Sequence, residues 1–148
     1  MKRSAILTLA AASVALSFSA AAQFAKPEDA VKYRQSALFV MGQHFGRLGA
    51  MANGRIPYDA KAAAENAAIV AEMAKLPWAG FMTGAESPKA KPEIWAEAVK
   101  FKEINEKLVV ETGKLLVAAR AGNVEALKAA FGPTAGTCKS CHDSFKKD

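Results

Sequence analysis

Apolar residues in this chain recur every three or four positions and never alternate convincingly over the length of a strand, which commits the chain to helices that each bury one face. Four segments share this rhythm, each bounded by residues that start or stop a helix. Lys26-Pro27-Glu28 opens the first, which ends near Asn53-Gly54, and Asp59 can cap a second that runs to Leu76-Pro77. A connection from Trp78 to Lys91 holds Gly80, Gly84 and Pro88 and leads to Pro92, well placed in the first turn of a third helix that stops at Ala121-Gly122. Asn123 then caps the fourth.

The predicted core stripes are Val31, Leu38, Met41, Phe45, Leu48 and Ala52 on the first helix and Ile69, Met73 and Leu76 on the second. On the third they are Ile94, Ala98, Phe101, Leu108 and Leu115, and on the fourth Val124, Leu127, Phe131, Cys138, Cys141 and Phe145. Four amphipathic helices joined mostly by short links predict an all-α fold, an antiparallel four-helix bundle. Gly132-Pro133 interrupts the last stripe, and proline lacks an amide donor and crowds the preceding turn, so a kink or short break is expected there.

The first residues say where the chain matures. Met1-Lys2-Arg3 is a short basic start, Ser4 to Ala22 carries no charge, and the stretch closes on Ala20-Ala21-Ala22, an A-x-A cleavage pattern. A secretory signal peptide over residues 1–22 is expected, leaving residues 23–148 as one exported domain in the periplasm with no stable membrane anchor after cleavage. The uncharged run is nearly long enough to span a bilayer, but it is rich in Ala and Ser and its strongly apolar part is short.

Without Lys2 and Arg3 the chain holds 18 basic against 14 acidic residues, scattered together along helical segments with no aromatic-interleaved basic patch. That is the pattern of solvated helix faces and gives no sign of a nucleic-acid surface. With 51% apolar residues the chain can build a core without disulfide staples.

Two cysteines and a histidine carry the chemistry. In Cys138-Lys139-Ser140-Cys141-His142 the two sulfurs stand one helical turn apart on one face, within reach of the two vinyl-derived carbons on one edge of a porphyrin. His142 follows at once and can bring its imidazole under the iron. The C-x-x-C-H spacing therefore predicts one covalently attached haem c per chain, with His142 as the metal ligand. A zinc site would want four ligands, and beyond this motif only His44 remains. A thioredoxin-like pair belongs at a helix start after a strand. A disulfide within one turn would be strained and would staple almost nothing.

Arg34 is the second clue. It falls between Val31 and Leu38 on a stripe otherwise made of core residues, where an unpartnered charge is too costly to keep. A haem propionate would supply the anion through paired hydrogen bonds. Equally, the stem could pack while the head reaches water at the rim, or pairs with Glu28 or Asp29.

At this point the chain from residue 23 onward resembles the cytochrome c′ family. The likeness runs through Gln23-Phe24-Ala25-Lys26-Pro27-Glu28-Asp29-Ala30, Tyr33-Arg34-Gln35, Pro57-Tyr58-Asp59, Leu76-Pro77-Trp78, Pro92-Glu93-Ile94-Trp95 and Ala129-Ala130-Phe131-Gly132 to the haem motif. The resemblance implies that His142 is the only strong protein ligand and that Leu38 covers a vacant opposite site. It implies further that Arg34 and Gln35 lie at the haem edge and propionates, and that Phe145 and Lys146 line the His142 side. Many relatives carry arginine in place of Lys146.

Leucine has no donor atom, so Leu38 can only exclude water and set the size of the pocket. Met41, one turn on, is the alternative sixth ligand, although filling the core is the commoner use of a methionine. Trp78 could close the same pocket, and His44 falls beside the stripe as a surface or rim residue. Two function classes follow. A five-coordinate iron under an apolar cover would bind nitric oxide and carbon monoxide and would hold dioxygen poorly; a Met41-ligated iron would serve electron transfer with a periplasmic redox partner. No triad or pair of carboxylates is arranged for turnover, so no enzymatic activity is expected. Gly42, Gly46 and Gly49 repeat within the first helix, at a cost of about 1 kcal/mol each relative to alanine. They could admit the close approach of another helix, and a homodimer through the first helix is expected.

Overall fold

The computed structural model describes residues 23–147. The expected signal peptide, residues 1–22, lies outside the described residues. Helix α1 (Pro27–Ala52) begins where the sequence places it, with Pro27 in the first turn and Glu28 and Asp29 set against the positive end of the helix dipole. Gly54, at φ 69°, carries the chain out of it. Helix α2 (Ala60–Met73) is capped by Asp59, whose carboxylate accepts the Ala62 N–H at 2.8 Å. A 3₁₀ turn (Pro77–Phe81) and an irregular loop follow. Then come a one-turn helix α3 (Glu93–Ala96), a long helix α4 (Ala98–Arg120) ended by Gly122 at φ 70°, and helix α5 (Val124–Phe145), capped by the Asn123 side chain.

Helix α1 packs against α2 and α5, and α4 packs against α2 and α5, so the four long helices close a bundle. Leu48, Leu115 and Leu127 are fully buried at its centre, with Met41, Met51, Val70 and Leu108 around them. Ala52, Ala63, Ala67, Ala74 and Ala119 let the backbones come close. Each fully buried leucine is worth about 1.5–3 kcal/mol of transfer free energy. A smaller apolar cluster of Ile94, Phe101 and Phe145 sits with Trp78, Phe81 and Cys141 packed on it.

Four expectations need correcting. The third helix is not continuous: at Glu97 the backbone leaves helical geometry (φ −109°, ψ 44°), separating α3 from α4. The Trp95 indole N–H bonds the Phe81 and Met82 carbonyls at 3.1 and 3.2 Å, tying this first turn to the loop and away from the axis of α4. Ala98, beyond that break, is exposed, and Asn105 and Thr112 complete the buried stripe of α4 instead. On α2, Ile69 and Leu76 lie at the surface, and the buried line is Ala63, Ala67, Val70 and Ala71, rotated by one residue. Helix α5 runs through Pro133 without the short break that was one of the two expected outcomes there. Just past the proline, Thr134 donates to Ala130 O at 3.0 Å and to Glu111 O on α4 at 3.3 Å, and Thr137 donates to Pro133 O at 3.1 Å. These bonds and the burial of Thr134 and Thr137 hold the turn that lost its own amide bond.

Candidate functional site

The last two turns of α5 carry Cys138, Cys141 and His142. All three border one cavity of about 370 Å³, which α1 also lines with Arg34, Gln35 and Leu38. Trp78, Phe81, Phe101 and Phe145 supply much of the remaining surface. Phe101 meets Phe81 and Phe145 edge-on, with centroids 5.0 and 5.1 Å apart, so the aromatic wall holds itself upright around the space. The helix end is clasped from outside. The Lys91 N–H bonds Phe145 O and the Lys147 N–H bonds Lys89 O, both at 3.0 Å, and Ala90 pairs with Lys146 in an antiparallel bridge.

Both cysteines are free thiols, half-buried at the cavity wall. Burial pushes the Cys141 thiol up to about 11, with the neighbouring Cys138 adding to the shift, and burial likewise raises Cys138. Both are therefore neutral S–H groups at neutral pH. His142 is held below its ordinary value, first by desolvation and then by Lys146, with Asp143 opposing. That favours the neutral imidazole, the form whose nitrogen lone pair can bind a metal.

Arg34 is buried, at 2% exposure, and occupies neither the rim nor an ion pair with Glu28 or Asp29. Its Nη1 donates to Gly80 O at 2.5 Å and Ala85 O at 2.6 Å, and its Nη2 donates to Ser87 Oγ at 3.1 Å. The guanidinium carbon stands 4.4 Å from the centroid of the Phe81 ring. Desolvation lowers its pKa, partly offset by Glu86. Three of the five guanidinium N–H groups are thus spent on the 80–87 segment. Sequence reasoning left this use of Arg34 unseen because its acceptors are backbone carbonyls about 50 residues away, which no spacing rule reveals.

Every residue predicted for the site borders this one cavity, Phe145 and Lys146 on the His142 side included. Met41 borders it too, yet is 8% exposed and packed in the central apolar cluster. Trp78 lies in the wall, its indole N–H bonded to Ala74 O at 2.7 Å. His44 lies away from the cavity and shares a 2.8 Å hydrogen bond between its Nδ1 and Asn66 Oδ1. Missed at the sequence level were Phe39, Phe81, Ser87, Lys89, Ala90, Ile104, Asn105 and Thr137, while Ile94, Phe101 and Leu108 were expected only as core. Asn105 was in principle legible, as a polar residue on the α4 stripe; it is buried with its Oδ1 unpartnered in the cavity wall. Of the three glycines on α1, Gly42 and Gly46 face open space, but Gly49 is filled from within the bundle. A Cβ on it would meet Phe131 at 2.7 Å.

An apolar chamber in a helical bundle, with two adjacent thiols and an adjoining imidazole on one helix and no donor atom on the leucine from α1, suits a porphyrin attached by thioethers. These features define a c-type haem protein of the four-helix-bundle class. The chain belongs to the cytochrome c′ family: residues 29–146 match the family model described as Cytochrome C'. It is 47% identical over 125 residues to the cytochrome c′ of Alcaligenes xylosoxydans xylosoxydans, covering 84% of this chain and 98% of the relative. It is 46% identical over 128 residues to that of Rubrivivax gelatinosus, covering 84% and 99%. The crystal structure of the Rubrivivax gelatinosus protein superposes with a TM-score of 0.81 over 84% of this chain and all of that one, at 46% identity. A ferrous variant of the Alcaligenes xylosoxidans protein with bound nitric oxide superposes at 0.80 over 85% and 99%, at 47% identity. Members of this family carry covalently bound haem c, and Cys138 and Cys141, followed by His142, are consistent with its attachment motif.

Proposed function

We propose that this protein is an exported, periplasmic haem protein that binds nitric oxide and carbon monoxide at a five-coordinate iron and exchanges electrons with a redox partner. The observation that carries this reading is that Leu38, a side chain without a donor atom, borders the same cavity as Cys138, Cys141 and His142. Bound there, haem c supplies the redox-active iron and a coordination position for a diatomic ligand. Cys138 and Cys141 would attach it covalently, and His142 would hold the iron through a neutral imidazole. Leu38 would exclude water, and the aromatic wall would keep the surroundings apolar. The N–H groups of Arg34 left over from the 80–87 segment, with Gln35 beside them, would receive the propionates. Nitric oxide bound to a relative supports the choice of ligand. None of these residues forms a nucleophile–base pair, and we assign no enzymatic turnover to the site.

Optical spectra of the purified holoprotein test the reading. High-spin bands in both oxidation states, and a shift on adding nitric oxide to the ferrous form, are the expected result. Met41 gives the second reading, since it too borders the cavity. A low-spin spectrum with a sulfur-to-iron band would establish Met41 as sixth ligand and make the protein a six-coordinate carrier.

A homodimer through α1 completes the proposal. Gly42 and Gly46 leave open space on that helix, and Phe39 beside them is 67% exposed. A monomer in sedimentation at micromolar concentration would refute it. No described helix is long and apolar enough to cross a membrane.

A further inference from the structure

The clasp at the cavity mouth concentrates charge. It joins two short segments, Lys89-Ala90-Lys91 and Phe145-Lys146-Lys147, through two backbone hydrogen bonds and the isolated Ala90–Lys146 bridge. Lys147 therefore sits across from Lys89, a like-charge pairing that a two-stranded contact ordinarily disfavours. One turn before the clasp, Lys139 pairs with Asp143 at 2.5 Å, while Lys91 Nζ donates to the Asp143 carbonyl at 3.0 Å. Segments 86–91 and 139–147 thus hold five lysines against only Glu86 and Asp143. Elsewhere the helix faces carry mixed charge, in i,i+3 and i,i+4 pairs such as Lys61–Glu65, Lys114–Glu111 and Lys128–Glu125. Around the clasp these two segments thus place a local excess of positive charge at that end of the molecule. That end carries Lys146 and His142 on the border of the cavity, and the exposed Phe39 reaches the same opening.

We infer that this lysine clasp is the docking surface for a redox partner with an acidic face. The inference rests on the electron-exchange part of the proposed function and adds the chemistry of the partner. Concentrated like charge speeds encounter with an oppositely charged surface and orients it, and the effect falls as salt shortens the screening length. The clasp also sets the docking surface beside the attachment helix, so an acidic partner is delivered next to the haem edge.

The test is stopped-flow reduction of the ferric holoprotein by a reduced acidic two-iron ferredoxin, in which the ferredoxin cluster loses one electron and the haem iron gains it. Photoreduced lumiflavin, small and neutral, serves as the reference donor. The second-order rate with ferredoxin should fall steeply as ionic strength rises from about 0.01 M to about 0.15 M, as the screening length shrinks from about 30 Å to about 8 Å. The double reversal Lys139→Glu, Lys147→Glu should lower the low-salt rate on the order of tenfold. The Lys139→Arg, Lys147→Arg pair should restore it, and the lumiflavin rate should not change. If the reversal does not fold, the glutamine pair at the same positions reads the same effect at smaller size.

Three outcomes would overturn the inference. One is an equal loss from Lys61→Glu, Lys128→Glu at the other end of the bundle, which would show net charge alone. Another is an equally fast reaction with a reduced basic cytochrome. The third is salt-sensitive binding to phosphatidylglycerol vesicles, lost in the same variants, without any salt effect on ferredoxin. Failure of lumiflavin to reduce the protein would instead count against electron exchange itself, separately from the clasp.

Discussion

The two ends of the bundle serve opposite purposes. Around Leu48, Leu115 and Leu127 the facing residues are small, with Ala63, Ala67, Ala74 and Ala119 buried, and the helices close on a filled core. Around Leu38, Trp78, Phe101 and Phe145 the side chains are large, yet they stand around a space of about 370 Å³. Large side chains line the hollow end, where aromatic rings brace one another edge to face. Stability is therefore concentrated where nothing binds, and the cavity end is shaped for a group that the chain does not supply.

The sharpest break of this contrast is chemical. The Cys138→Ala, Cys141→Ala double variant should lose covalent haem completely, seen as a purified chain with the mass of polypeptide alone. Haem still bound covalently would overturn the attachment assignment.

Next come truncations at the two ends. Leu127→Ala, in the filled half, should cost about 2–5 kcal/mol in denaturant unfolding of the holoprotein. Leu38→Ala, half-buried at the cavity, should cost about 1 kcal/mol or less while raising the rate of carbon monoxide binding. Equal costs would mean that the cavity end is as tightly packed as the core.

Arg34→Leu keeps the apolar stem but strands the carbonyls of Gly80 and Ala85, and should cost about 2–4 kcal/mol. Faster hydrogen exchange confined to residues 77–87 is the accompanying signature. Gly80→Ala should cost about 1–3 kcal/mol, because its Cβ would sit 2.6 Å from Ala30 O and 2.8 Å from Arg34 Cβ. Smallest is Thr112→Val, within about 1 kcal/mol of the parent. The Thr112 hydroxyl bonds only its own helix, at Leu108 O and Val109 O, and the new methyl keeps the volume.

Local signals were the ones legible in the sequence. Helix starts at Pro27, Asp59 and Asn123 could be read because capping is chemistry between residues two or three apart. The attachment motif could be read for the same reason. What escaped depends on distant partners. The break at Glu97 follows from a tryptophan bonded to a loop 13 and 14 residues earlier. The rotation of the α2 stripe from Ile69 to Val70 reflects neighbours in α1 and α4 that its own periodicity does not contain. Pro133 reads locally as a breaker, yet α4 supplies the Glu111 carbonyl that helps hold α5 through it. For Arg34 the stripe showed that a partner was needed, and the fold identified backbone carbonyls where an acid or a propionate had been the candidates.

Those carbonyls also bear on the order of assembly. Arg34 and all three of its hydrogen-bond acceptors lie within the first 87 residues, whereas the attachment motif begins at residue 138. For a chain that emerges from its N-terminus, every partner needed to latch the loop onto the first helix is present before either cysteine appears. The receiving wall is thus specified by an earlier part of the message than the residues that will tether the guest.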